Sequence, residues 1–181
     1  MKTITSPRCI LKQITIDDAA AILEIYSDTH AMKYMQSNAI SSLDEAKDLI
    51  TKWERQYDNE DGFRWGVFLK DNPHRLIGTI ALHYWDKKSN VIELGADLVR
   101  SEWRKGLAYE FTEPVVNFAF TELKINRLEL RCDPRNIASV KIADKFAFTF
   151  EGTLREYVYV ERKGYLDESV YSLLRKEFKP K

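Results

Sequence analysis

The chain has 181 residues, 44% hydrophobic and 31% charged, with 28 Lys and Arg balanced by 28 Asp and Glu. At roughly 150 residues per domain, this length predicts one domain, a size that buries about 70% of its unfolded surface without a disulfide or structural metal. Formal neutrality excludes the broad positive field of a general nucleic-acid or anionic-membrane binder, so neither is expected as a direct partner. Cys9 and Cys132 lie in apolar stretches, as buried reduced thiols of a cytoplasmic protein would. Met1 to Pro7 has no apolar core of signal length, and no segment has the run of about 18 apolar residues that a membrane span needs. With His30, His74 and His83 scattered and no Cys cluster, no metal site is expected.

In chain order, Cys9 to Ile16 reads as a first strand. Thr15-Ile16-Asp17-Asp18 then resembles a helix start, continued at helical spacing by Ala19, Ile22, Leu23 and Tyr26. Ser42 with Glu45 makes a capping-box pattern for a second helix, whose apolar stripe is Ala46, Leu49, Ile50, Trp53 and Tyr57. Arg64 to Leu69, Leu76 to Tyr84 and Val91 to Val99 are strand-like and joined by short segments with turn chemistry, which predicts an antiparallel meander. A helix over Gly106 to Leu123 follows, with Pro114 expected to kink or shorten it. Arg127 to Cys132 is a strand, Asp133 to Asn136 a turn, and Ile137 to Phe146 a helix that Asn136 could cap. Phe148 to Val160 and Tyr165 to Leu174 form a closing hairpin. The expected class is α+β, with one βαβ step in the second half.

The segment Val99 to Ala108 carries the most chemistry. A strand ends, a basic loop follows, and a helix opens on Gly106 and a small residue. The first turn of a helix has unpaired N–H groups and partial positive charge. Gly106 permits close backbone approach, and Arg104 and Lys105 add formal charge, so the segment suits an anion. The same residues also suit a solvated basic loop. Neither a GxxxxGK(S/T) loop nor a GxGxxG loop occurs in the chain, which removes the main support for nucleotide hydrolase and dinucleotide oxidoreductase readings.

From about Arg8 to Phe178 the chain resembles the GNAT superfamily of acyl-CoA-dependent N-acyltransferases, in particular the branch of bacterial ribosomal-protein N-terminal acetyltransferases. Trp103-Arg104-Lys105-Gly106-Leu107-Ala108 resembles the family's pyrophosphate loop, with Trp103 where Gln or Arg usually stands. Asn136-Ile137-Ala138-Ser139, followed by Lys145 to Phe148, is similar to the branch's N-x-x-S helix, and Glu93-Leu94-Gly95-Ala96 to its E-I-G-Y strand. Tyr165 to Leu174 resembles the branch's closing strand. The resemblance implies a mainly antiparallel sheet flanked by helices and acetyl-CoA as co-substrate. It implies cofactor contacts at Leu98, Val99, Arg104, Lys105, Gly106, Leu107, Ala108, Asn136 and Ser139, and an amine acceptor.

An acceptor amine is mostly protonated at neutral pH, so a base or water relay must remove a proton before attack. Glu93 is the first candidate base on the resemblance, with Glu156 and Glu110 behind it and His83 a possible relay. An exposed carboxylate or ion-pair partner would account for Glu93 equally well. Many relatives place a Tyr where this chain has Ala143, which leaves Ser139 as the expected proton donor to the thiolate; a serine engaged only in capping is the other account. Backbone N–H groups near Leu98 and Val99 would polarise the thioester carbonyl. Tyr34 and Met35 follow the first helix, where relatives shape the acceptor pocket. The leading expectation is an N-acetyltransferase acting on a protein N-terminus or a small amine, working as a monomer or homodimer. A non-catalytic acyl-CoA sensor on the same fold and a plain phosphate-binding protein are the competing readings.

Overall fold

A computed structural model describes residues 1–180. The strands are β1 (Ile4–Thr5), β2 (Cys9–Gln13), β3 (Phe63–Leu69), β4 (Asn72–Asp86), β5 (Val91–Leu98), β6 (Arg127–Cys132), β7 (Thr149–Val160) and β8 (Gly164–Leu174). They form one sheet in the order β1-β2-β3-β4-β5-β6-β8-β7, antiparallel throughout except for the parallel pair β5–β6. Four helices pack on it: α1 (Ala19–Ser27), α2 (Leu43–Asp58), α3 (Leu107–Thr121) and α4 (Ile137–Lys145). α1 lies on one face, where Tyr26 reaches β4 and β5 side chains. α3 lies on the other, where Phe118 meets the rings of Phe63 and Trp65 edge-on, and α4 packs beside it. The mainly antiparallel α+β expectation therefore holds.

Local chemistry sets most boundaries. The first strand stops at Gln13 rather than Ile16, because the Asp18 carboxylate accepts from Thr15 N–H at 2.8 Å and turns Ile16–Asp18 into a 3₁₀ turn. α2 starts as the sequence predicts, with Glu45 N–H donating to the Ser42 hydroxyl at 3.2 Å. The Glu45 carboxylate reaches back one residue further than a capping box requires, to Ser41 N–H at 2.7 Å. The β3–β4 connection is tighter than its turn-rich sequence suggests: Leu69 pairs with Asn72, leaving Lys70 and Asp71 at the tip. Pro73 is tolerated inside β4 because the register shifts there, and a bulge does not need its missing N–H.

The helix carrying Pro114 corrects the expectation of a shortened first part. α3 runs unbroken from Leu107 to Thr121. Its buried side, including Phe111, Val115, Val116, Ala119 and Phe120, packs into the core. Burial of five such side chains is worth several kcal/mol, enough to offset the ~3 kcal/mol of an interior proline. The largest fully buried side chains include Trp65, Phe68 and Phe111, and both cysteines are free and buried.

Glu110 ties the N-terminal strands to α3. Its carboxylate accepts from Arg8 N–H at 2.5 Å, Arg8 Nε at 2.6 Å and the Ser6 hydroxyl at 2.9 Å. Burial pushes this carboxyl up, but the Arg8 and Ser6 donors outweigh it and hold it below its ordinary value of 4.5. Glu110 is thus a structural anchor between the N-terminal segment and α3. A carboxyl depressed in the folded state contributes stability that is full above pH 4.5 and lost as pH falls through the folded value. Glu110→Gln should therefore lower stability by about 1–2 kcal/mol at neutral pH. The gap in melting temperature between wild type and variant should narrow below pH 4.5.

Candidate active site

β5 and β6 stay side by side for only three residue pairs, Val91–Arg127, Ile92–Leu128 and Glu93–Glu129. Beyond these, β5 follows β4 to Leu98 while β6 follows β8 to Cys132. The parting leaves main-chain N–H and C=O groups on facing edges without strand partners, which a ligand can use. β5 then leads into α3 and β6 into α4, so the uncapped N-terminus of α3, with unpaired donors, and the capped N-terminus of α4 follow the parted strands.

The end of β5 is held from both sides. Val99 N–H donates to the Ile77 carbonyl at 2.8 Å, toward β4. In an antiparallel ladder successive residues point their main-chain groups to opposite sides, so the N–H groups of Leu98 and Ala96 face away from β4, toward the opening. The Leu98 carbonyl accepts from Trp103 Nε1 at 2.7 Å. Of the two residues expected to offer N–H groups, Leu98 presents its donor to the opening and Val99 has its own committed to Ile77. Trp103, at the position where the family resemblance implies Gln or Arg, pins the strand end with its indole N–H.

The loop into α3 is wound tightly. Arg104 (φ 62°) and Gly106 (φ 79°) both adopt left-handed backbone, and Gly106 is the residue that opens α3. For Arg104 that conformation costs about 1–2 kcal/mol, a strain of the sort that collects at functional sites. A Cβ on Gly106 would meet only Arg8 Nη2, at 3.8 Å, so the glycine is required by its φ and not by crowding. Leu107 is buried at the start of α3 and Ala108 half-buried after it. The two basic residues differ. Lys105 Nζ is bonded to the buried Glu102 at 2.9 Å, whereas Arg104 has no hydrogen-bond or ion-pair partner among the described residues. Both add formal charge to the loop, but Lys105 shares Glu102 with Arg75 while Arg104 stands alone. Arg104, Trp103, Arg100 and His30 line an open hollow of about 410 Å³ beside this loop.

Across the opening, Asn136 Oδ1 accepts from Ser139 N–H at 3.3 Å, capping α4 as the sequence suggests. The Ser139 hydroxyl has no partner among the described residues and the residue is half-buried. Asp133, 1% exposed, is gripped by Arg135 at 2.9 and 2.6 Å. Hydrogen bonds from that guanidinium hold its carboxyl below the ordinary range, against burial. Burial, with Asp133 and Glu168 nearby, pushes the Cys132 thiol up to about 12, which leaves it protonated at neutral pH.

On the α1 face of the sheet a ladder of charged side chains runs along β4, β5, β6 and β8. Glu93 lies 3.5 Å from His83 Nε2 and 3.9 Å from Arg131, and Arg131 also meets Glu129 and Glu168, both at 2.9 Å. His83 Nε2 is buried without a hydrogen bond, and Gly95 leaves it room, since a Cβ there would lie 3.2 Å away. Glu156 is exposed on β7, its own N–H engaged by Asp167. Above the ladder, Lys163 in the β7–β8 turn donates to the carbonyls of Met32 (2.6 Å), Met35 (2.8 Å) and Ser37 (2.8 Å), binding the α1–α2 connection to the hairpin. Gln36 adds a bond to Glu168 at 2.6 Å.

Two parts of the site escape the sequence. Lys163 sits in an ordinary charged turn, and its partners are more than 120 residues away. A partly buried polar group of Tyr26, Arg64, Thr79 and Asp97 gathers residues of which only Tyr26 has a place in the expected elements' apolar patterns. Among the described residues no three His, Cys, Asp or Glu side chains gather to hold a metal ion.

Comparison with known proteins agrees with this geometry. Residues 8–149 match the Acetyltransferase (GNAT) domain family. The chain is 33% identical over 172 residues to the uncharacterized N-acetyltransferase YoaA of Bacillus subtilis strain 168, covering 95% of this chain and 96% of that one. Among solved structures, the spermidine N-acetyltransferase of Vibrio cholerae, in complex with CoA and spermine, superposes with a TM-score of 0.81 at 19% identity, over 94% of this chain and 97% of that one. RimL, a ribosomal L7/L12 alpha-N-protein acetyltransferase in complex with coenzyme A, gives 0.83 at 16% identity, over 96% and 98%. The chain belongs to the GNAT acetyltransferase family.

Gly106→Ala should destabilise the fold by about 1–2 kcal/mol through its left-handed backbone. It should also weaken acetyl-CoA binding by about tenfold or more, because the anion-facing N–H groups can no longer be presented in the same arrangement. Thermal melting and calorimetry read the two effects separately.

Proposed function

We propose that this chain transfers the acetyl group of acetyl-CoA to a single primary amine, and that its acceptor is the α-amine of a protein N-terminus. The support for CoA is the fit of the opening. The N-terminus of α3, Gly106 and the unpartnered Arg104 guanidinium suit a pyrophosphate, and the parted edges of β5 and β6 suit an amide-bearing arm. Acetyl-CoA supplies an activated acyl thioester. Leu98 N–H then serves as a donor to the carbonyl oxygen, where a fixed hydrogen bond lowers the barrier. Asn136 holds the first turn of α4, and the Ser139 hydroxyl, free of protein partners, protonates the leaving sulfur. Glu93 belongs to the face along which the proton departs.

The observation that carries the acceptor assignment is the pairing on the α1 face. Arg131 stands among Glu93, Glu129 and Glu168, and Arg127 between Glu129 and Glu151. These four carboxylates outnumber the two guanidinium groups by two, yet each is bridged to one of them, whereas a polyamine needs several carboxylates free of such partners and one ammonium group needs one. A chain that only sensed acyl-CoA would have no use for an unpartnered hydroxyl at Ser139 or for an aligned donor at Leu98, which favours turnover.

Thiol release with acetyl-CoA over a panel of N-terminal peptides, polyamines and amino sugars tests this reading. Peptides bearing a free α-amine should give the highest kcat/KM, and N-terminally blocked peptides none. Spermidine outpacing every peptide would move the assignment to a small amine. Ser139→Ala should lower kcat by about 10²-fold while leaving the acetyl-CoA Kd within a few-fold.

A further inference from the structure

Asp97 sits one residue before Leu98 and on the same face of β5 as Glu93 and Gly95. Three other elements meet it directly and a fourth backs one of them. Tyr26 Oη from α1 donates to Asp97 Oδ2 at 2.5 Å, Thr79 Oγ1 from β4 lies 3.3 Å from the same oxygen, and Arg64 Nη1 from β3 lies at 3.5 Å. Arg64 in turn donates to Thr79 at 2.9 Å and to Tyr26 at 3.2 Å, and its guanidinium lies 4.6 Å from the Trp53 ring of α2. All three partners of the carboxylate meet Oδ2. Oδ1 has no hydrogen-bond or ion-pair partner among the described residues, and it is absent from the polar atoms that are both sealed and unpartnered, which are His83 Nε2 and Thr112 Oγ1.

Because Oδ1 is not sealed, leaving it without a protein partner costs little, and it stays open to a donor that arrives from solvent. Here one oxygen is saturated and fixes the orientation of the group, while the other is left open on the α1 face, beside the main-chain donors that point into the β5–β6 opening. Glu93 is far from that point. Four residues of strand separate it from Asp97 and five from Leu98, or about 13 and 17 Å along β5. Glutamate cannot span such a distance to form a direct hydrogen bond with an amine beside Leu98. Glu93 is also shared between His83 and Arg131.

We propose that Asp97 is the residue that receives the acceptor ammonium and takes its proton, with Tyr26, Thr79 and Arg64 as positioning residues that aim its Oδ1. This assignment rests on the acetyltransferase reading above. The ammonium gives one proton to Asp97, which passes it to solvent. The nitrogen lone pair then forms the C–N bond to the acyl carbon as the C–S bond of the thioester breaks, its electron pair leaving on sulfur. The second nitrogen proton ends on that sulfur by way of the Ser139 hydroxyl. One amide, one thiol and one released proton result.

The test uses the full chain and the best amine from the panel. Asp97→Asn should lower kcat/KM for the amine by about 10²-fold or more, while the calorimetric Kd for acetyl-CoA stays within twofold. Glu93→Gln should lose about tenfold or less, and Asp97→Glu should recover part of the activity that Asp97→Asn loses. The assignment is overturned if Asp97→Asn stays within tenfold of wild type, or if Glu93→Gln is the more damaging change. Should Asp97→Asn fail to fold, Tyr26→Phe keeps the carboxylate and removes one aiming bond. A drop of about three- to thirtyfold in kcat/KM for the amine, with acetyl-CoA affinity unchanged, then supports the role, and no drop refutes it. A wild-type chain that binds acetyl-CoA but acetylates no amine would instead overturn the acetyltransferase reading, and the role of Asp97 with it.

Discussion

The parting of two parallel strands governs the rest of this molecule. β5 and β6 share three residue pairs and then lose each other, and neither is left to fray because each retains an antiparallel neighbour on its far side. Without β4 and β8 the cost of unpaired main-chain groups would close the gap or melt the strand ends. With them, the opening is a stable defect in the sheet. The helix that follows β5 begins there with an uncapped, donor-rich end, and the loop that winds into α3 supplies a guanidinium. Binding capacity thus comes from main-chain groups that the sheet leaves unmatched, and it asks little of any one side chain. That explains how Trp103 can replace Gln or Arg at the head of the loop without dismantling it.

Charge follows the same logic of placement over quantity. The chain is formally neutral, and most of its cations near the site are already matched: Lys105 by Glu102, Arg135 by Asp133, Arg131 by three glutamates. Arg104 stays without a partner beside the α3 loop, and on the α1 face the glutamates around Arg127 and Arg131 outnumber those two cations. Two substrates of opposite charge can be told apart by such an arrangement without any long-range field.

Much of the fold is legible in the sequence because its signals are local. Ser42 and Asn136 cap their helices through a residue three positions on, and Gly106 marks a left-handed turn. Alternation and turn chemistry define the meander, missing chiefly the 3₁₀ turns and the extra length of β4. The candidate site is legible only where it, too, is local, as in the loop from Trp103 to Ala108 and the Asn136–Ser139 turn. Asp97 reads as one acid in an ordinary strand, and its significance appears only when Tyr26, 71 residues earlier, is brought to it. Lys105 shows the opposite limit: its charge is visible in the sequence, but the buried Glu102 that it shares with Arg75 is not. Pro114 is overruled by the packing of α3, which no local pattern reports.

Lys163 bears on how the molecule can move as well as on its shape. One ammonium group joins three carbonyls of the α1–α2 connection to the hairpin turn, and burial makes its charged form harder to hold, against the pull of Asp133. Swinging the connection away would strip that ammonium of all three acceptors together, at a cost of several kcal/mol. The two segments therefore travel as one piece. Neither can swing out alone, so any motion at this end of the sheet has to carry the hairpin turn and the connection together.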